Sequence, residues 1–161
     1  QVKSWLMSCP ITSIDNEVVQ NYFTVPELSA GKLTASLLKH YAKFNIEIIC
    51  ETYTLGDTFF PTEKTFRPML LKTPFIVQGP QYFLQNLKKL GFKTFHQWWD
   101  EGYAEDDVAY QVKEIKKLLD FLSAKTPAEL YDMNKSMAEV LEHNYQTAIA
   151  LTKEDYQKIR Q

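Results

Sequence analysis

The spacing of apolar positions changes along this chain, and each change marks a different element. Up to about residue 26, Val18, Val19, Tyr22 and Phe23 gather between Pro10 and Pro26 with no sustained repeat, so no element is assigned. Over 29–44, Leu33, Leu37, Leu38, Tyr41 and Phe44 share one helical face, and Ser29 stands where an N-cap belongs. Residues 45–53 are rich in β-branched side chains and predict a strand. A loop carrying Gly56 and Asp57 follows over 54–61.

The stretch 62–71 predicts a helix, complicated by Pro68, which lacks the N–H and crowds the preceding turn. The helix either begins as late as Thr65 or begins at Thr62 and kinks. Residues 74–78 predict a short buried strand stopped by Gly79-Pro80. Residues 81–90 predict a helix closed by Gly91 in the left-handed C-cap position, and 92–95 a third short strand.

From Asp107 the pattern is purely helical. Val108, Val112, Ile115, Leu119 and Leu122 form one stripe, with Lys113, Lys116 and Lys117 off it. Thr126-Pro127-Ala128-Glu129 is a capping box with proline at the first helical position. Leu130, Met133, Met137, Val140 and Leu141 give a second helix its buried face, and a short terminal helix is expected from Thr152. Strands alternating with helices predict an α/β fold, a Rossmann-like parallel sheet flanked by helices and followed by C-terminal helices. The sheet and its helices would occupy about 27–100 and the helical extension 107–161 of a single domain spanning 1–161. Ligands of such sheets lie beyond the C-terminal strand ends.

Composition narrows the partners. With 45% hydrophobic and 24% charged residues the chain is not of the disordered class. Eighteen basic and twenty acidic residues leave a net charge of −2 and no basic stripe, so nucleic acid is not an expected partner. No apolar run approaches the roughly 18 residues of a membrane span, and no basic-then-apolar leader is evident. Cys9 and Cys50 are too few and too far apart for a disulfide framework or zinc site. Cys50, inside an apolar run, is expected to be a buried thiol, which fits a reducing, cytoplasmic setting. Because residue 1 is Gln, the chain is expected to be a piece of a larger protein.

Candidate chemistry centres on Thr62-Glu63-Lys64-Thr65, after a strand and at a helix start. Unpaired amides and the helix dipole make such a position attractive to phosphate. Lys64 would add a point charge to a diphosphate, Glu63 would accept from ribose hydroxyls, and Arg67 would reach a second phosphate. The same four residues also suit a plain reading, in which Thr62 and Glu63 cap the helix and Lys64 is solvated.

Over about 40–145 the chain resembles a family of glycosyltransferase-like proteins often encoded by viruses and bacteria. The residues that carry the resemblance begin with Ile49-Cys50-Glu51-Thr52 and Phe60-Pro61-Thr62-Glu63-Lys64-Thr65-Phe66-Arg67-Pro68. Pro74-Phe75-Ile76, Gly79 and Leu90-Gly91-Phe92-Lys93-Thr94-Phe95 continue it. Asp100-Glu101-Gly102-Tyr103 and Leu141-Glu142-His143-Asn144-Tyr145 complete it. The pattern is similar to the donor lobe of α-1,3-fucosyltransferases, which have the two-domain GT-B fold.

The resemblance implies a nucleotide diphosphate sugar as ligand, with a GDP-sugar as the candidate. Glu63 would hold the ribose, Lys64 the diphosphate, and Glu51 would line the site. It implies metal-independent transfer without a cofactor, and an upstream N-terminal lobe that brings acceptor and base, so no catalytic residue is assigned in this lobe. Three positions depart from the pattern. Thr52 stands for asparagine, Phe60 for tyrosine, and Lys72-Thr73 for a glycine before the next strand. They keep a second reading open, a non-catalytic binding or interaction module that retains the fold without donor binding.

Other groups have milder readings. Asp100, Glu101, Glu105, Asp106 and Asp107 suit a metal or, better, the negative charge favoured at a helix start. Trp98-Trp99 would stack on a sugar or anchor helices to the sheet. His40, His96 and His143 lack metal-ligand spacing, and His143 would either pin its helix or take part in catalysis. Neither cysteine has a nearby His in sequence to make it a nucleophile.

Overall fold

The computed structural model describes residues 41, 43–56 and 58–154. All but the end of the predicted helix over 29–44 lies outside them, as do Cys9, His40 and Asp57. From residue 44 the described residues belong to one compact unit, Phe44–Gln161. It is mixed α/β: β1 (Glu47–Cys50), α1 (Glu63–Leu70), β2 (Phe75–Gln78), α2 (Phe83–Lys89), a 3₁₀ turn (Gly102–Glu105), α3 (Val108–Ser123), α4 (Pro127–Ser136) and α5 (Ala138–Glu154). No helix among the described residues is long and apolar enough to cross a membrane.

The two strands pair in parallel, with Glu47 opposite Phe75 and Cys50 opposite Gln78. Strand alternation turns Glu47, Ile49 and Glu51 inward and leaves Cys50 exposed. The expectation of a buried Cys50 is thereby corrected: an unbroken apolar run does not reveal its own parity. α1 packs on β1 and α5, and α3 packs on β2, so the small sheet is covered by helices.

The expected third strand does not form among the described residues, and the reason is visible on both sides. The Asn144 side chain accepts from Lys93 N and donates to Lys93 O, each at 2.8 Å, and Glu101 Oε1 accepts from Phe95 N at 2.7 Å. Side chains thus occupy the backbone groups a strand would offer. The parallel register points alternate β2 amides away from β1. Val77 N donates to the Tyr103 hydroxyl and Gly79 N to Gln111 Oε1, both at 3.3 Å. Two buried side chains cover an edge that would otherwise invite another strand. Phe92 and Phe95 still bury their rings, and Phe95 meets Phe75 edge-on at 5.2 Å.

Helix ends follow local chemistry. α1 begins at Glu63 with Pro68 inside it, which decides between the two predicted starts. It ends after eight residues in a Schellman turn: Thr73 N donates to Pro68 O and Lys72 N to Met69 O. Lys72 holds φ +50 there, a conformation costing a non-glycine residue about 1 kcal/mol. Its ammonium reaches Glu142 at 2.6 Å and lies over the Tyr145 ring, tying α1 to α5. α2 ends in the same way with Gly91 at φ +93, as its sequence predicts. It starts at Phe83 rather than 81, because Tyr82 turns left-handed and donates its N–H to Ala104 O.

In α3 the buried stripe is Gln111, Ile115, Leu118 and Leu122, rotated from the predicted one by the demand for Gln111 at the sheet edge. The second predicted helix divides at Met137, which is fully buried. Ser136 Oγ donates to Met133 O while accepting from Trp98 Nε1, and this back-bond competes with the helical ladder. No terminal helix starts at Thr152. α5 runs unbroken to Glu154, since its last turns contain no Gly or Pro.

Candidate functional site

The five predicted site residues lie at two ends of one β–turn–α unit. Glu51 immediately follows β1, and Thr62 is the N-cap of α1, with extended backbone and its hydroxyl accepting from Lys64 N at 3.3 Å. The buried Glu51 carboxylate accepts from Thr62 N at 3.1 Å, from the Thr62 hydroxyl at 2.6 Å and from the Thr65 hydroxyl. A carboxylate at a helix N-terminus also opposes the helix dipole favourably. Glu51 therefore does not line an open crevice. It fixes the first turn of α1 from beneath.

Glu63 and Lys64 stand on top of that turn. Glu63 is exposed, and the half-buried Lys64 donates from Nζ to the Thr52 hydroxyl at 3.0 Å. Thr52, one of the departures from the glycosyltransferase-like pattern, is thus in direct contact with the lysine assigned to the diphosphate. Tyr53, Leu55 and Phe60 expose large apolar surface on the loop between β1 and α1.

Arg67 is not brought to this place. One turn further along, its guanidinium binds the buried carboxylate of Glu47, at the opposite end of β1 from Glu51. The pair holds the far end of α1 to the strand, so β1 grips α1 twice through two inward carboxylates four positions apart. Removing one partner of such a buried pair leaves a charge with weakened solvation, which is why it is fixed structure rather than a spare phosphate ligand.

The remaining candidates are engaged locally. Asp107 caps α3 by accepting from Tyr110 N at 2.9 Å, and Asp100 accepts from Gly102 N at 2.8 Å. Glu105 accepts from the Gln85 side chain. Among the described residues no cluster of three His, Cys, Asp or Glu side chains is placed to hold a metal. His143 Nε2 lies 2.7 Å from Gly91 O and so donates to it, pinning α5 to the turn after α2.

Two residues to which sequence reasoning assigned no role stand at the β2 end. Tyr103 and Gln111 hold the amides of Val77 and Gly79, close to where β2 ends. Burial pushes the Tyr103 hydroxyl pKa well up, the Val77 hydrogen bond lowers it, and the Glu101 charge raises it again. The available signal for Gln111 was a polar residue in step with Ile115, Leu118 and Leu122 on an apolar stripe.

Two of the open concavities on the described surface have volumes of about 280 and 360 Å³. Neither is lined by a residue of β1 or α1. Comparison with known proteins returned no matching family model, no matching curated protein and no matching solved structure.

Proposed function

We propose that residues 44–161 act as the sugar-nucleotide lobe of a glycosyltransferase, a Rossmann-like half of a GT-B-like enzyme. Its ligand is a nucleotide diphosphate sugar, with a GDP-sugar as the first candidate. The observation that carries this reading is the clamp of Glu51 on Thr62 and Thr65, beneath a helix start that leaves Glu63 and Lys64 on the surface. The helix start follows the C-terminal end of a parallel strand, where ligands of α/β sheets gather.

In this reading Lys64 moves from Thr52 to the diphosphate and stabilises the negative charge that develops on it as the glycosidic bond breaks. Glu63 accepts from the ribose hydroxyls. Thr62 and Glu51 keep the amides of the first turn aimed at the ligand, and Arg67 acts only by holding the helix. Acceptor and general base come from an upstream lobe, and no metal takes part.

A second reading, a binding or interaction module without donor binding, is favoured by one observation. The large apolar side chains of Tyr53, Leu55 and Phe60 stand exposed beside the start of α1. Thermal unfolding separates the two. A nucleotide at a hundred times its Kd adds about 2.7 kcal/mol, a rise in melting temperature of about 5–10 °C. GDP, UDP and their sugars are compared on the wild type and Lys64→Ala. The transferase reading expects a rise that the variant loses, and the module reading expects none with any of them.

A further inference from the structure

Three of the four buried side-chain polar atoms without a hydrogen-bond partner among the described residues are Thr94 Oγ1, Trp99 Nε1 and Glu101 Oε2. They fall in one short segment, residues 94–101. Native proteins leave few such atoms, so three within eight residues single out this segment. Thr94 lines the larger concavity and Glu101 the smaller. Lys88 and His96 line both, so the two lie side by side as a groove region along α2 and residues 92–101 to the α4–α5 junction.

Both lysines of this groove already face a carboxylate. Lys88 Nζ lies 3.7 Å from Glu101 Oε2, within ion-pair range but beyond a hydrogen bond, and Lys93 meets Glu139 at 3.1 Å. Asp100 and Glu105 are committed to Gly102 and Gln85. Four carboxylates against two lysines disfavour an anion, and each carboxylate is already engaged by a lysine, a backbone amide or a glutamine side chain. What the groove offers are the exposed side chains of His96 and Gln97 and the half-buried indole of Trp98. Neutral hydrogen-bonding groups beside an aromatic surface, in a volume suited to a small ligand, match the edges and faces of pyranose rings.

We propose that this groove binds a neutral oligosaccharide, with Trp98 against a ring face and His96 and Gln97 on its hydroxyls. None of its residues belongs to β1 or α1, so the proposal stands or falls independently of nucleotide binding. The test is a titration of the ¹⁵N-labelled full chain with maltotriose, cellotriose and chitotriose, following amide and indole resonances. At least one sugar is expected to give saturable shifts at His96, Gln97 and the Trp98 indole. The double variant His96→Ala, Gln97→Ala should weaken binding by about ten-fold or more. Both side chains are exposed, so its melting temperature and spectral dispersion should match the wild type, and Trp98→Phe gives an independent second variant. The proposal is overturned if no sugar gives saturable shifts at about 50 mM, a concentration that detects even weak Kd values. It is equally overturned if the shifts persist in both variants, or if glucose 1-phosphate or spermine occupies the groove more tightly than every neutral sugar.

Discussion

The start of α1 and the segment 94–101 are both polar, both partly buried, and opposite in how their hydrogen bonds are spent. At α1, one buried carboxylate collects an amide and two hydroxyls, and the only polar groups left over are on the surface. In 94–101, a hydroxyl, an indole N–H and a carboxylate oxygen are buried without hydrogen-bond partners. Thr65 and Thr94 make the contrast sharp, because both are almost completely buried and only one has its hydroxyl engaged. The difference teaches that burial of a polar side chain does not tell its purpose. The first region is a hydrogen-bonded platform that displays two residues, and in the second the buried polar atoms have no such bonds within the protein.

The largest break in this contrast should come from the platform's far end. Arg67→Ala removes the guanidinium that binds the buried Glu47 carboxylate and is expected to cost about 3 kcal/mol in urea unfolding. The double variant Glu47→Leu, Arg67→Met should recover most of that loss. A loss well under 1 kcal/mol would mean that the pair does not hold α1.

Thr65→Val removes a hydrogen bond to a carboxylate and should cost about 2 kcal/mol. The same measurement on Thr94→Val is the sharpening case, taken up last.

Between them falls Tyr103→Phe, which deprives Val77 N of its acceptor at a cost of about 1 kcal/mol. It also has a pH signature. The folded-state pKa of Tyr103 is raised, so the unfolded chain loses this proton first, at about pH 10. The stabilisation is fully present below that pH and is lost as pH rises above it. Alkaline unfolding curves should therefore flatten in Tyr103→Phe relative to the wild type. Identical slopes would contradict the buried, neutral phenol.

Thr94→Val carries the smallest effect and the opposite sign to its counterpart. Replacing an unpartnered buried hydroxyl with a methyl of similar shape should be neutral or stabilise by up to about 1 kcal/mol. A loss comparable to that of Thr65→Val would erase the distinction between the two regions.

What sequence reveals here is mostly local chemistry. The N-cap at Thr62, the capping box at Thr126 and the left-handed Gly91 are written in adjacent residues, and the structure has each where the pattern places it. Elements decided by distant partners were not legible. The strand expected over 92–95 is replaced by bonds from Asn144 and Glu101, and the face of α3 turns because Gln111 is needed at β2. The division at Met137 depends on Ser136 meeting Trp98.

The candidate site divides along the same line. That Glu63 and Lys64 stand at a helix start was readable. That β1 directs Glu47 and Glu51 inward, engaging Arg67 and the two threonines, was not, because strand parity and side-chain pairing are set by the packing of α1. Lys72 shows the limit well: its sequence position suggests a missing glycine, while its ammonium is occupied by Glu142 and Tyr145 on a helix seventy residues away.

The account rests above all on Lys64 as the group that meets a diphosphate, and calorimetric titration of GDP into the full chain examines this most directly. Saturable binding to the wild type, weakened about ten-fold or more by Lys64→Ala (roughly 1.4 kcal/mol), is the predicted result. Absence of binding heat across several temperatures, or equal Kd values for the two proteins, would contradict it.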